Sequence, residues 1–180
     1  MLYAIQNSKL LLAVDSLGAQ MMQLQTADGR EYLWQGDAAY WPDRAPVLFP
    51  FIGRLTQNRY RYEGQEYPMG IHGFAAQQEF TCRIHDPDRL VLELTDYLET
   101  HKQYPFIFSL AITYQLVEDR VEISYQVENH SEKVMCFGIG GHPGFRVPLE
   151  DGEQFTDYVL EFTGSCQPDQ KIGTNRGFIL

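Results

Sequence analysis

The segment Ser109 to Glu128 constrains the fold of this chain more than any other. Leu110, Ile112, Tyr114 and Leu116 alternate with Ala111, Thr113 and Gln115. After the short turn VEDR, Val121, Ile123, Tyr125 and Val127 alternate with Glu122, Ser124, Gln126 and Glu128. A period of two on both sides of a polar turn predicts an antiparallel β-hairpin with one face buried and one wet. No helical packing satisfies that pattern.

The same reading extends along the chain. KLLLAV, AQMMQLQT, REYLWQ and QEFTCRIH are expected strands, and RLVLELTD follows the turn Asp86-Pro87-Asp88. YRYEGQEYPM reads as a compact hairpin about Glu63-Gly64, and DYVLEF as a late strand. TDYLETHKQY alone resembles helix. The N-terminal MLYAIQNSKLLLAV reads as two short strands rather than a signal peptide, because it lacks a basic start and is interrupted by polar residues. With no repeat, linker or low-complexity stretch, the expectation is one all-β antiparallel sandwich over residues 1–180.

Charge and cysteine content restrict the partners. The net charge is −10 and no stretch concentrates Lys and Arg, which disfavours a nucleic-acid groove or an anionic membrane surface. No apolar run approaches the ~20 residues of a membrane-spanning helix. The three cysteines, Cys82, Cys136 and Cys166, are widely spaced, which argues against a zinc knuckle or disulfide framework and for a reduced cytoplasm. Asn129-His130-Ser131 would matter as a sequon only in a secreted protein. A small neutral ligand fits this composition best.

Two loops, Tyr40 to Leu55 (YWPDRAPVLFPFIGRL) and GIGGHPGFRVP, are rich in Pro, Gly and aromatics without being polar. Such loops are expected to fold inward around something. In the second, Gly140 and Gly141 precede His142, and Pro143 biases His142 to extended backbone. An imidazole so placed is a core residue, a metal ligand or a proton donor. Its rigid setting favours acid–base work. A dinucleotide fingerprint is excluded, since prolines rather than a helix follow the glycines.

His72, in PMGIHGFAAQ, reads alone as a surface turn residue, while His85, His101 and His130 sit among polar turn residues and look solvated. No histidine and acid spacing matches a metal motif. Arg54 ends the apolar run LFPFIG, as a snorkelling edge residue or an anchor for polar ligand atoms. Trp34, Tyr40, Trp41, Phe49, Phe51, Phe74 and Phe145 could stack on a sugar, though most are expected in the core.

The succession FPFIGRL, YEGQEY, IHGFA, YPFIFSLAITYQL and GGHPGF resembles the aldose 1-epimerase (galactose mutarotase) family across nearly the whole chain. The resemblance implies a galactose mutarotase-like antiparallel β-supersandwich with an open sugar cleft. It also implies an isomerase that interconverts the α and β anomers of a free hexose such as galactose or glucose, without a cofactor. His142 then matches the family's general acid, His72 its second active-site histidine, and Arg54 its sugar-binding arginine, with Gly53-Arg54 standing where familiar members have Asn-Arg. The family's general base is a glutamate far toward the C-terminus of considerably longer chains. Glu153 and Glu161 are the late glutamates here, and neither sits in a matching motif, so the chain is expected to be a partial domain. Unfinished strand edges invite a second copy as partner, a homo-oligomer. The other readings are a carbohydrate-binding sandwich without turnover and an epimerase-like protein for hexose phosphates, the latter disfavoured by the acidic balance.

Overall fold

A computed structural model describes residues 1–162, which fall into one compact unit over Met1–Arg146 and the described part of a second unit that begins at Val147. Every strand pair in the first unit is antiparallel.

The hairpin expected from residues 109–128 is formed by β9 (Phe108–Val117) and β10 (Arg120–Asn129), with Val117 opposite Arg120 across a two-residue turn. Phe108, Leu110, Ile112, Tyr114 and Leu116 are buried on one face of β9. Each such side chain contributes roughly 1.5–3 kcal/mol when fully removed from water. A slip by one residue would turn that whole row outward, so the burial pattern fixes the register. β7 (Thr81–His85) and β8 (Arg89–Thr95) complete a four-stranded sheet in the order β10-β9-β8-β7. Leu90, Leu92 and Leu94 of β8 add to the same core, whereas Val121, Ile123, Tyr125 and Val127 of β10 are only half-buried.

A three-stranded sheet, β1 (Leu2–Gln6), β2 (Leu10–Asp15) and β3 (Gln20–Thr26), contributes Ile5, Leu12 and Val14 to that core. Two small pairs complete the unit. β4 (Val47–Leu48) lies against β11 (Gly140–Gly141), and β5 (Arg59–Tyr62) against β6 (Gln65–Pro68). The β5–β6 turn is Glu63-Gly64, both with positive φ, as a tight two-residue hairpin requires.

Two strand expectations fail for identifiable reasons, and the one helix expectation holds as a short element. REYLWQ forms only isolated bridges, Gln25 to Glu31 and Leu33 to Phe145. The Glu31 carboxylate folds back, and its Oε1 accepts the amides of Leu24 (3.0 Å) and Leu33 (2.8 Å), replacing ladder partners. TDYLETHKQY does hold the expected short helix, a single turn, α1 (Leu98–His101). In the second unit, DYVLEF forms no strand among its described residues. Residues 155–157 make a 3₁₀ turn, and Val159, Leu160 and Phe162 are exposed. A strand needs a hydrogen-bonding neighbour, and none of the described residues supplies one. The Glu153 carboxylate there accepts from the Tyr158 hydroxyl and, at 3.1 Å, from the Glu150 amide.

Candidate active site

The site is built on the buried stretch Ala45 to Phe49, so the first apolar loop does fold inward. Phe49 is fully buried, and its ring centroid lies 5.3 Å from that of Phe108 and 6.1 Å from that of Phe74. Its carbonyl accepts the amides of Phe74 (2.9 Å) and Ala75 (3.1 Å), and its amide donates to the His72 carbonyl (3.2 Å). This lays the segment 72–75 directly on the main chain of residue 49. The approach is close enough to require glycine at position 73. There φ is +79°, and a Cβ would stand 2.1 Å from the Phe49 oxygen.

His72 itself has φ +67°, a left-handed conformation in which histidine is enriched among non-glycine residues. Its amide donates to the Gly53 carbonyl at 3.3 Å. Its Nδ1 lies 2.5 Å from the Ile52 carbonyl. A carbonyl only accepts, so Nδ1 carries the proton, and in the neutral ring Nε2 is left as an acceptor.

The second loop reaches the same place from the other side. Gly140 pairs with Leu48 and Gly141 with Val47. The Gly138 amide donates to the Pro50 carbonyl (2.8 Å) and the His142 amide to the Pro46 carbonyl (3.1 Å). Upstream, the buried Tyr104 hydroxyl donates to the Cys136 carbonyl at 2.9 Å. Burial pushes the Tyr104 phenol well above its ordinary range, so it remains a donor throughout the physiological range.

These contacts bring the imidazoles of His72 and His142 to 5.7 Å between centroids, tilted by 52°. The Trp41 ring lies 5.1 Å from His142 on a 57° tilt. Arg54 is exposed, and its side chain makes no hydrogen bond or ion pair among the described residues. Its chain neighbour Gly53 is the residue whose carbonyl holds His72. The three residues singled out from the sequence therefore sit on loops tied to one backbone segment, 46–54.

Other expectations need adjustment. The second loop does not bury itself, and His142 and Phe145 are exposed. Gly140 is not sterically demanded, since a Cβ there would make only ordinary contacts. Gly141 is tight, since a Cβ there would lie 3.1 Å from the Tyr125 hydroxyl, and Gly144 is tighter still, where a Cβ would be 2.8 Å from Cζ3 of Trp41 and 3.0 Å from Cβ of Trp34. Of the seven aromatics, Phe49 and Phe74 are buried, Phe51, Trp34 and Trp41 half-buried, and Tyr40 and Phe145 exposed. His85 and His130 are exposed, as expected, His101 is half-buried, and each has a hydrogen-bond partner besides. They meet the Ala4 carbonyl (2.9 Å), the Asp96 carboxylate (2.6 Å) and the Ser109 hydroxyl (3.1 Å) respectively. The contact of Trp41 with His142 was not legible, because nothing in the spacing of residues 41 and 142 links them.

A groove of about 860 Å³ passes beside Pro143, lined largely by Leu10, Met21, Leu24, Val121, Ile123 and Phe145. Among the described residues, no three His, Cys, Asp or Glu side chains gather as a metal site would require, and no helix is long and apolar enough to cross a membrane.

The sequence model of one family, aldose 1-epimerase, matches residues 1–174. The chain belongs to the aldose 1-epimerase family. Protein LacX (plasmid) of Lactococcus lactis subsp. lactis is 36% identical over 165 residues, 88% of this chain and 55% of LacX. The crystal structure of a galactose mutarotase related enzyme from Lactobacillus acidophilus superimposes with a TM-score of 0.84 at 37% identity, covering 86% of this chain and 52% of that one. A galactose mutarotase-like protein from Lactobacillus casei ATCC 334 gives 0.81 at 36% identity, with 84% and 52% covered. The fold is thus the all-β, largely antiparallel fold of galactose mutarotase-like proteins. This aldose 1-epimerase family chain spans about half the length of the relatives it matches.

Proposed function

We propose that this chain carries the histidine half of an aldose 1-epimerase site, acting on a free hexose of the galactose or glucose type. The observation that carries the reading is the pair of imidazoles, 70 residues apart in sequence and 5.7 Å apart in space. One of them has its proton fixed on Nδ1 by the Ile52 carbonyl.

In this reading His142, protonated, donates to the ring oxygen of the sugar. A base takes the proton of the C1 hydroxyl, the bond from C1 to the ring oxygen breaks, and the open aldehyde forms. Rotation about C1–C2 and reclosure on the other face give the second anomer, with both protons returned. His72 accepts a sugar hydroxyl at Nε2 and thereby fixes the orientation of the ring. Arg54, exposed and without a protein partner among the described residues, supplies donors to the sugar's oxygens. No described residue is assigned as the base. The pairing of acid and base needs no cofactor, and the free Cys82 and Cys136 fit a reduced cytoplasmic setting. Cys166 lies outside the described residues.

Polarimetry of freshly dissolved α-galactose or α-glucose tests this reading. The expected result is equilibration faster than in buffer, and a rate equal to buffer refutes catalysis by this chain. A sugar-binding sandwich without turnover is the second reading, favoured by the engagement of Glu153 within its own unit. Chemical-shift changes on hexose titration without any rate enhancement select it.

A further inference from the structure

We propose that Trp41 is a positioning residue for His142, and that Gly144 is the residue that lets Trp41 take this place. The two histidines are held by different means. His72 is locked by a carbonyl on Nδ1. The His142 side chain makes no hydrogen bond among the described residues, and it is exposed. Its ring stands beside two others, Trp41 at 5.1 Å and His72 at 5.7 Å between centroids. A side chain with no hydrogen-bond partner takes its rotamer from what it packs against. Here the wall is the indole of Trp41.

That wall is itself braced. The Trp34 indole Nε1–H donates to the Trp41 carbonyl at 2.8 Å, and the Trp41 amide donates to the Asp37 carbonyl at 2.8 Å. The loop carrying both tryptophans is clipped to the loop carrying His142. The Trp34 amide donates to the Gly144 carbonyl (2.9 Å), and the Gly144 amide donates to the Arg44 carbonyl (2.7 Å). The Arg44 guanidinium in turn reaches the Met22 carbonyl (2.5 Å) and Gln35 Oε1 (2.9 Å). A β-carbon at residue 144 would collide with the indole at Cζ3. The φ of Gly144 is not in the left-handed region, so an alanine there is opposed by that collision and not by its own backbone. The glycine is required because both tryptophans crowd it, Trp41 at 2.8 Å and the Trp34 Cβ at 3.0 Å, and the Trp41 ring rests on the histidine.

The catalytic arm of the test rests on the function proposed above, and the spectroscopic arm does not. The full chain is labelled with ¹⁵N and ¹³C, and the imidazole resonances of His142 are compared in wild type, Trp41→Ala, Trp41→Phe and Gly144→Ala. In wild type they carry the ring-current displacement of an indole 5.1 Å away. Trp41→Ala abolishes the displacement, Trp41→Phe keeps part of it, and Gly144→Ala, with the indole intact but pushed aside, mimics Trp41→Ala. In a Trp41→Ala background, Gly144→Ala removes no further indole displacement from His142, the non-additivity expected where one substitution acts through the other's contact, although the new Cβ still meets that of Trp34 at 3.0 Å. Under polarimetry, Trp41→Ala lowers kcat by up to about 100-fold with KM little changed, and Trp41→Phe restores most of the loss. Unmoved His142 resonances in Trp41→Ala, or additive effects of the two substitutions, overturn the proposal. So does a rise in KM at constant kcat, which would make Trp41 a sugar contact. If wild type shows no turnover, the function proposed above falls, and the resonances alone decide this inference. If Trp41→Ala does not fold, Gly144→Ala decides.

Discussion

Gly73→Ala compared with Gly64→Ala isolates the close approach on which the His72 loop depends. Both glycines have nearly the same backbone, φ +79° and +80°. An L-residue in that region costs roughly 1–2 kcal/mol in either position. At Gly64 a new Cβ meets nothing within 4 Å, so this is the whole expected loss. At Gly73 the Cβ would lie 2.1 Å from the Phe49 oxygen, 2.3 Å from its carbonyl carbon and 2.7 Å from the Pro50 nitrogen. All three are main-chain atoms of a buried segment, so no side chain can rotate out of the way. Separation forfeits the two hydrogen bonds from Phe74 and Ala75 to the Phe49 carbonyl. At about 1–3 kcal/mol for each group left unpaired, plus the backbone term, the loss is about 3–8 kcal/mol. That is comparable with the roughly 5–15 kcal/mol of a whole domain. Urea unfolding followed by circular dichroism reads the difference directly. Gly64→Ala is expected to shift the midpoint slightly at constant slope, and Gly73→Ala to lower it severely or leave no folded protein. Equal midpoints for the two variants would refute the steric reasoning.

Two further outcomes follow from the geometry. Arg54→Ala should leave the melting temperature within about 2 °C of wild type, since the side chain holds nothing else among the described residues, while hexose affinity falls about 10- to 100-fold. NMR titration with hexose and a thermal melt check both halves, and unchanged affinity removes Arg54 from the site. In the β5–β6 hairpin, hydrogen bonds first from Arg61 and then from Arg59 hold the Glu66 carboxyl below its ordinary 4.5. The stabilisation of a depressed carboxylate is present above the unfolded value and is lost as pH falls through the folded one. The carboxyl ¹³C titration of Glu66 is therefore expected at a midpoint under 4.5, and Arg61→Ala should raise it. A midpoint unmoved by that substitution would count against the pair.

The sheets were readable where one face of a strand is buried and the other wet. β9 shows this best, because its row of large apolar residues has only one consistent burial. REYLWQ misled because the alternation of apolar residues does not reveal that Glu31 will turn back and consume two amides. Position 140 misled similarly, since both members of a glycine pair look sterically demanding, whereas the crowding falls on Gly141 and, more severely, on Gly144. His142 stands out through its glycine and proline neighbours, whereas His72 alone reads as a surface turn residue and is singled out by the family resemblance. Their meeting is expected only through the resemblance, because it depends on the β4–β11 pairing and on the Phe49 main chain, both contacts between segments distant in sequence. The half-buried Trp41 looked like core for the same reason: its neighbour is supplied by the fold.

The run from Pro46 to Gly53 also has a mechanical meaning. Its carbonyls at residues 46, 49, 50, 52 and 53 are each engaged by the two histidine-bearing loops, and Arg54 begins where that lacing stops. The main chain at residues 52 and 53 that leads into Arg54 is the same main chain that holds the ring and the amide of His72. A displacement of that short run of main chain would carry the His72 ring with it, whereas the exposed Arg54 side chain can turn without disturbing either.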